Sequence, residues 1–180
     1  MLSISLLVTL VSGLSLTQAA NPPVSPSPST RPSRPLSSTQ DCNGPVVFSG
    51  TGGTQHPSRL VGYRTTQAEA GVGWNAETGE FTVHCAGLYQ LAFSGMTEPG
   101  AKLVLKKHSA ASNSSDWTPI ISTPKGGGSN VVILNLVVSD QVAVWTEGTG
   151  SLLTDQETDV HVISFSGFRI SKNNKVELKS

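Results

Sequence analysis

The stretch GEFTVHCAGLYQLAFSG, residues 79–95, decides the fold class of this chain. Phe81, Val83, Cys85, Gly87, Tyr89, Leu91 and Phe93 occupy every second position, with Thr82, His84 and Gln90 between them. In a β-strand successive side chains point to opposite faces, so this alternation predicts extended chain with one face buried. Working outward, short apolar runs recur with turn residues between them. VVFSG (46–50), RLVGYRT (59–65), AKLVLKK (101–107), VVILNLVV (131–138), DQVAVWTEG (140–148) and DVHVISFSGFRI (159–170) read as strands, and Thr78-Gly79 supplies a turn with positive φ. PKGGGSN (124–130) reads as a turn and HSAASNSSDWTP (108–119) as a long polar loop. Many short strands without helical periodicity predict an all-β sandwich or barrel. VVILNLVV is apolar on both faces, as expected of an inner strand or of one buried at a subunit contact.

The chain has 180 residues. Residues 1–19 read as a secretory signal peptide, with Thr17 and Ala19 as the small residues before cleavage. Residues 20–41, rich in Pro, Ser and Thr, form a linker without enough apolar surface for a core. Residues 42–171 hold the folded domain, and 172–180 a polar tail. No later segment reads as a membrane span. Twelve basic side chains balance twelve acidic ones, without the basic stripe that nucleic acid binding requires.

Chemistry-bearing patterns are sparse. His56, His84, His108 and His161 are scattered, and His84 and His161 read as solvent-facing strand positions. No serine sits in a nucleophile elbow, and GGGSN lacks the Lys and helix of a phosphate loop, so no enzyme is expected. Asp155, Glu157 and Asp159 form an acidic loop, with Asp155 and Asp159 as candidate calcium ligands and a solvated loop as the alternative. No other cofactor is implied. Asn113 in NSS is a glycosylation sequon. Cys42 and Cys85 would meet an oxidising secretory pathway. Three arrangements stay open: a disulfide between them, which is preferred; a small buried apolar Cys85; and Cys42 linking chains.

Taken in order, the motifs resemble the complement component 1q globular-head domain family. Gly71, Trp74, Asn75, Thr78, Gly79, Phe81, Gly87, Tyr89 and Phe93 fall at the places of its signature, Asp140 at its Gly-Asp-x-Val turn, and Phe165, Ser166, Gly167 and Phe168 at its terminal strand. The resemblance spans residues 46–170. Ala70, Trp74 (where Tyr is commoner) and Ser139 depart from it, and Ser139 in place of Gly predicts a turn without positive φ. The resemblance implies a ten-stranded jelly-roll of the tumour necrosis factor type, assembled as a homotrimer, and Cys42 linking chains would join such trimers into hexamers. It also implies a secreted, stalk-less recognition protein binding microbial surfaces, glycans or proteins through exposed loops, with a role in innate immunity. A signalling ligand for a cell-surface receptor and a matrix component are the alternatives. Trp117 and the loop of Asp155, Glu157 and Asp159 are the expected ligand contacts. Gly87 is expected where a side chain would obstruct a bend or close backbone packing.

Overall fold

The computed structural model describes residues 41–112, 116–154 and 161–172. After a 3-10 turn at Asp41–Asn43 come ten strands: β1 Val47–Gln55, β2 Val61–Ala70, β3 Trp74–Asn75, β4 Glu80–Thr82, β5 Gly87–Met96, β6 Ala101–His108, β7 Thr118–Ser122, β8 Gly127–Leu136, β9 Gln141–Gly148 and β10 Ser164–Ser171. They form two five-stranded sheets, β2-β1-β10-β5-β8 and β3-β4-β9-β6-β7, with antiparallel pairing throughout. This is the expected jelly-roll. Among the described residues no helix is long and apolar enough to cross a membrane.

The alternation of residues 81–93 survives, but the strand does not. Phe81 lies on β4 in the second sheet, whereas Tyr89, Leu91 and Phe93 lie on β5 in the first. Residues 83–86 carry the chain across, and Val83 and Cys85 stay buried on the way. Both sheets turn their inner faces to one core, so a period of two persists while the strand changes sheets. Gly87 opens β5 where a Cβ would stand 2.2 Å from the carbonyl oxygen of Ser171 and 2.9 Å from Arg169 Cδ. Gly79 holds φ of 69°, and a Cβ there would strike the carbonyl of Val61.

The core is aromatic at one end. Phe48 stacks on Trp74 at 4.7 Å and on Phe81 at 4.6 Å, and meets Phe165 edge-on at 5.0 Å. Tyr89, Leu91, Leu103, Leu105, Leu136 and Ile163 fill the rest. Each such buried side chain contributes roughly 1.5–3 kcal/mol.

Several expectations change here. VVILNLVV is not an inner strand: among the described residues β8 is an edge strand, paired with β5 alone. The glycine tract is half strand, because Gly127–Asn130 pair with Met96–Phe93 and that ladder overrides low β-propensity. Edge strand β7, including Pro119, lies where the sequence reads as loop and turn. His161 precedes β10 instead of lying on it, and His84 sits in the crossing segment.

Candidate functional site

The two outer faces differ in chemistry. On the first sheet the register aligns Val47, Phe168, Gln90 and Ile133 in one row across β1, β10, β5 and β8. The next row aligns Ser49, Ser166, Ala92 and Val131. Val131, Ile133 and Phe168 are 58%, 54% and 43% exposed, and Ile170 is also exposed. Two rows further from the Phe168 end, Thr51, Ser164, Ser94 and Ser129 are polar, and the Ser94 and Ser164 hydroxyls are bonded at 2.9 Å. The apolar patch therefore occupies one end of this sheet.

The second sheet sets charged side chains around an aromatic pair on its outer face. β6 and β9 pair Lys102 with Glu147 and Val104 with Trp145. Lys106 Nζ lies 2.8 Å from Glu147 Oε1 and 5.2 Å from the centre of the Trp145 ring. Lys102 Nζ lies 3.8 Å from Glu147 Oε2. The Lys106 hydrogen bond holds the Glu147 carboxyl below its usual range against the opposing effect of burial, helped by the charges of Lys106, Lys102 and Arg59. Arg59 enters from the β1–β2 connection with φ of 70°. Its Nε donates to the carbonyl of Thr146 at 2.8 Å and its Nη2 to that of Gly150 at 2.6 Å. Arg59, Lys106, Trp145, Glu147 and Gly148 line a shallow groove of about 370 Å³.

Trp117 packs on this surface. Its ring centre is 4.4 Å from that of Trp145 and 5.8 Å from His108. It is half-buried, so it both packs against the sandwich and keeps part of its ring in solvent. Sequence reading missed Trp145 and Arg59. The period-two pattern of β9, with Trp145 opposite in phase to Val144 and Thr146, was the signal that could have found Trp145. Nothing local marks Arg59, whose role depends on β9, 87 residues away.

Asp140 anchors the loop that leads to Trp117. Its side chain is 0% exposed. It accepts from the backbone N–H groups of Ala110 and Val137, each at 3.0 Å, and faces Lys107 Nζ at 3.0 Å. Burial raises its pKa, but the bonds from Val137, Ala110 and Lys107 outweigh burial and leave the carboxyl below its ordinary value. Ser139 corrects the sequence expectation: it takes φ of 70° without being glycine. Its N–H donates to the carbonyl of Val83 at 2.7 Å, while Asp140 closes the turn on Val137, and together these bonds hold the unfavoured backbone.

Cys42 and Cys85 form a disulfide. That leaves Cys42 no thiol with which to link chains, and Cys85 is not a free apolar filler. Tyr89 donates its hydroxyl to the carbonyl of Cys85, and burial pushes its pKa up to about 12 despite the charge of Arg169. Arg169 Nη2 donates to the carbonyls of Cys42 and Gly44 at 2.6 and 2.9 Å, tying the start of the domain to β10. Of the signature residues, Phe81, Tyr89, Phe93 and Phe165 are core, Gly87 and Gly167 are buried, Trp74 covers Phe48, and Phe168 faces outward. The expected glycosylation site Asn113 and the acidic residues Asp155, Glu157 and Asp159, with the calcium expected there, lie outside the described residues. Among the described residues no group of three or more His, Cys, Asp or Glu is placed to hold a metal ion.

Comparison with known proteins places the geometry in context. The family model of the C1q domain matches residues 48–170. No curated protein matches the chain. Among solved structures, the globular domain of zebrafish complement 1qA protein is similar with a TM-score of 0.53 and 24% identity, covering 71% of this chain and 99% of that one. Eiger TNF from S. frugiperda gives a TM-score of 0.54 at 13% identity, covering 72% and 94%. Murine APRIL at pH 8.5 gives 0.53 at 10% identity, covering 71% and 100%. At these identities the likeness is one of fold.

Proposed function

From the premise that this chain belongs to the C1q domain family, shown by the match over residues 48–170, we propose that it is a secreted homotrimeric recognition protein. It binds an extracellular ligand, a microbial surface, a glycan or a protein, through exposed surfaces and catalyses no reaction. An innate-immune role follows if the ligand is microbial. Secretion is supported by the apolar leader and by the disulfide, a bond favoured outside the cytosol.

The observation that carries the proposal is the apolar end of the first sheet. Val131 and Ile133 are exposed on edge strand β8, and Phe168 and Ile170 on β10, two strands in, with Ala92 and Gln90 of β5 between them. A monomer would present this patch to water beside an unpaired strand edge, a combination that favours association. Copies related by a closed threefold would cover it, and the second sheet would stay outside. Three ligand sites on one rigid body then raise avidity, because later contacts become intramolecular.

The test is the mass of the chain beginning at residue 20, measured by light scattering in physiological salt. Three protomers are expected, and Ile133→Asp or Phe168→Asp should yield monomers that keep the wild-type circular dichroism. A wild-type monomer at micromolar concentration would remove the trimer and the avidity with it. Ligand class is tested in parallel against bacterial polysaccharides and host cells. Saturable binding to host cells without polysaccharide binding would replace microbial recognition with a signalling role.

A further inference from the structure

We propose that the groove between Arg59 and Trp145 binds an acidic saccharide, a sugar ring bearing a carboxylate or a sulfate. The inference rests on the reading of the chain as an extracellular recognition protein and gives that reading a site and a ligand class.

Three observations converge on the groove. The first is its aromatic wall. Trp145 stands on the outer face of β9, half-buried, with Trp117 against it and Lys106 over its ring, and it lines the groove. An indole presented this way offers a flat apolar plate with polar groups at its rim, the combination that receives the C–H face of a sugar ring. The second is charge. Arg59, Lys102 and Lys106 all act on the Glu147 carboxylate, so cations outnumber the anion at this spot in a chain whose formal charge is zero. Arg59 is fixed by its two carbonyl bonds, whereas Lys106 bridges Glu147 and the Trp145 face and can turn from one to a ligand. The third is the placement of Arg59. It is the left-handed residue, φ of 70°, of the turn between β1 and β2, where its N–H donates to the carbonyl of His56 at 2.8 Å and its own carbonyl accepts from the N–H of Thr146 at 2.9 Å. The turn and the two side-chain bonds together fix the guanidinium in the groove wall.

The same features select among ligand classes. At about 370 Å³ the groove lies near the lower end for small-ligand sites. An apolar ligand would have to desolvate Lys106 and Glu147, at a cost its own contacts would not return. A bare inorganic anion would leave the indole unused. Nucleic acid would need an extended basic track, which this balanced chain lacks. A sugar uses every element present: its C–H face meets Trp145, its hydroxyls donate to Glu147, and its acid group meets Lys106 in the field of Arg59. The groove lies on the sheet opposite the apolar patch, so covering that patch with further copies leaves it open.

The experiment is calorimetric titration of the mature chain with N-acetylneuraminic acid, glucuronic acid, galactose 6-sulfate and galactose. The carboxylate and sulfate arms separate the two acid groups. At least one acidic sugar should bind, with galactose at least about tenfold weaker, since a charge-assisted bond is worth about one such factor. Lys106→Gln should weaken binding about tenfold and Trp145→Leu at least as much, with Lys125→Gln, a lysine not among the groove-lining residues, as control. Because Trp145→Leu removes packing, Lys106→Gln at unchanged melting temperature is the deciding variant. Equal binding of acidic and neutral sugars overturns the proposal, as does wild-type affinity in Lys106→Gln. Absence of millimolar binding by every acidic sugar overturns it too. Binding to whole bacterial polysaccharides, measured on the same samples, separates the levels. If it persists unchanged in Lys106→Gln, recognition stands and this site falls; if it is absent with the sugars, this site and microbial recognition both fall.

Discussion

Replacing Asp140 with asparagine tests the anchor that ties the turn before β9 to the segment after β6. The wild-type carboxylate serves three partners at 3.0 Å: the N–H of Ala110, the N–H of Val137 and the ammonium of Lys107. Asparagine keeps one acceptor oxygen and turns an NH2 donor toward the remaining donors. One charge-assisted bond is worth about 1.5–3 kcal/mol, and breaking a buried pair costs about 3–5 kcal/mol. Lys107 is 25% exposed and can recover some hydration, which places the loss near the lower end, about 3 kcal/mol. Against a stability of about 5–15 kcal/mol that is a large fraction, readily seen in urea unfolding followed by circular dichroism.

The pH dependence gives an independent check. The folded carboxyl titrates below its ordinary value of 3.8, so in that window the unfolded chain holds more protons than the folded one. The stabilisation is therefore complete above about pH 4 and is lost as pH falls through the folded value. The asparagine side chain of the variant does not titrate. The stability gap between wild type and Asp140→Asn should be widest near neutral pH and close progressively below pH 3.8. A loss under about 1 kcal/mol at pH 7, or a gap independent of pH, would refute the anchoring argument.

Further outcomes can be checked on the same material. Cys42→Ser with Cys85→Ser opens a link between residues 43 positions apart and should cost about 3–4 kcal/mol, while the wild type should run on non-reducing gels without covalent dimers. A ladder of dimers would contradict the intrachain bond. Gly87→Val places a Cβ where 2.2 Å separates it from the Ser171 carbonyl, so a loss of about 2–3 kcal/mol or failure to fold is expected; normal melting would show that β10 yields freely. Ser139→Gly relieves the positive φ and should raise stability by about 0.5–1 kcal/mol, with an unchanged or lower urea midpoint counting against strain at that turn.

The sequence by itself determined the inner faces. Alternation from Phe81 to Phe93 specified which side chains are buried, because a period of two follows from backbone geometry alone. The same local logic placed Gly79 at a turn. Tertiary structure decided where that alternating chain changes sheets, since a shared core rewards the same pattern on either sheet. It also decided that β8 is an edge, because sheet order depends on partners far away in sequence, and that Ser139 bends like glycine, because Val83 and Asp140 hold it there. The candidate site was legible only in part. Trp117 stood out as an aromatic in a polar loop, but its stacking on Trp145 joins residues from separate strands and loops, and Arg59 reaches β9 from the β1–β2 connection. Outer-face chemistry is assembled across strands, and no short-range pattern in one chain segment encodes it.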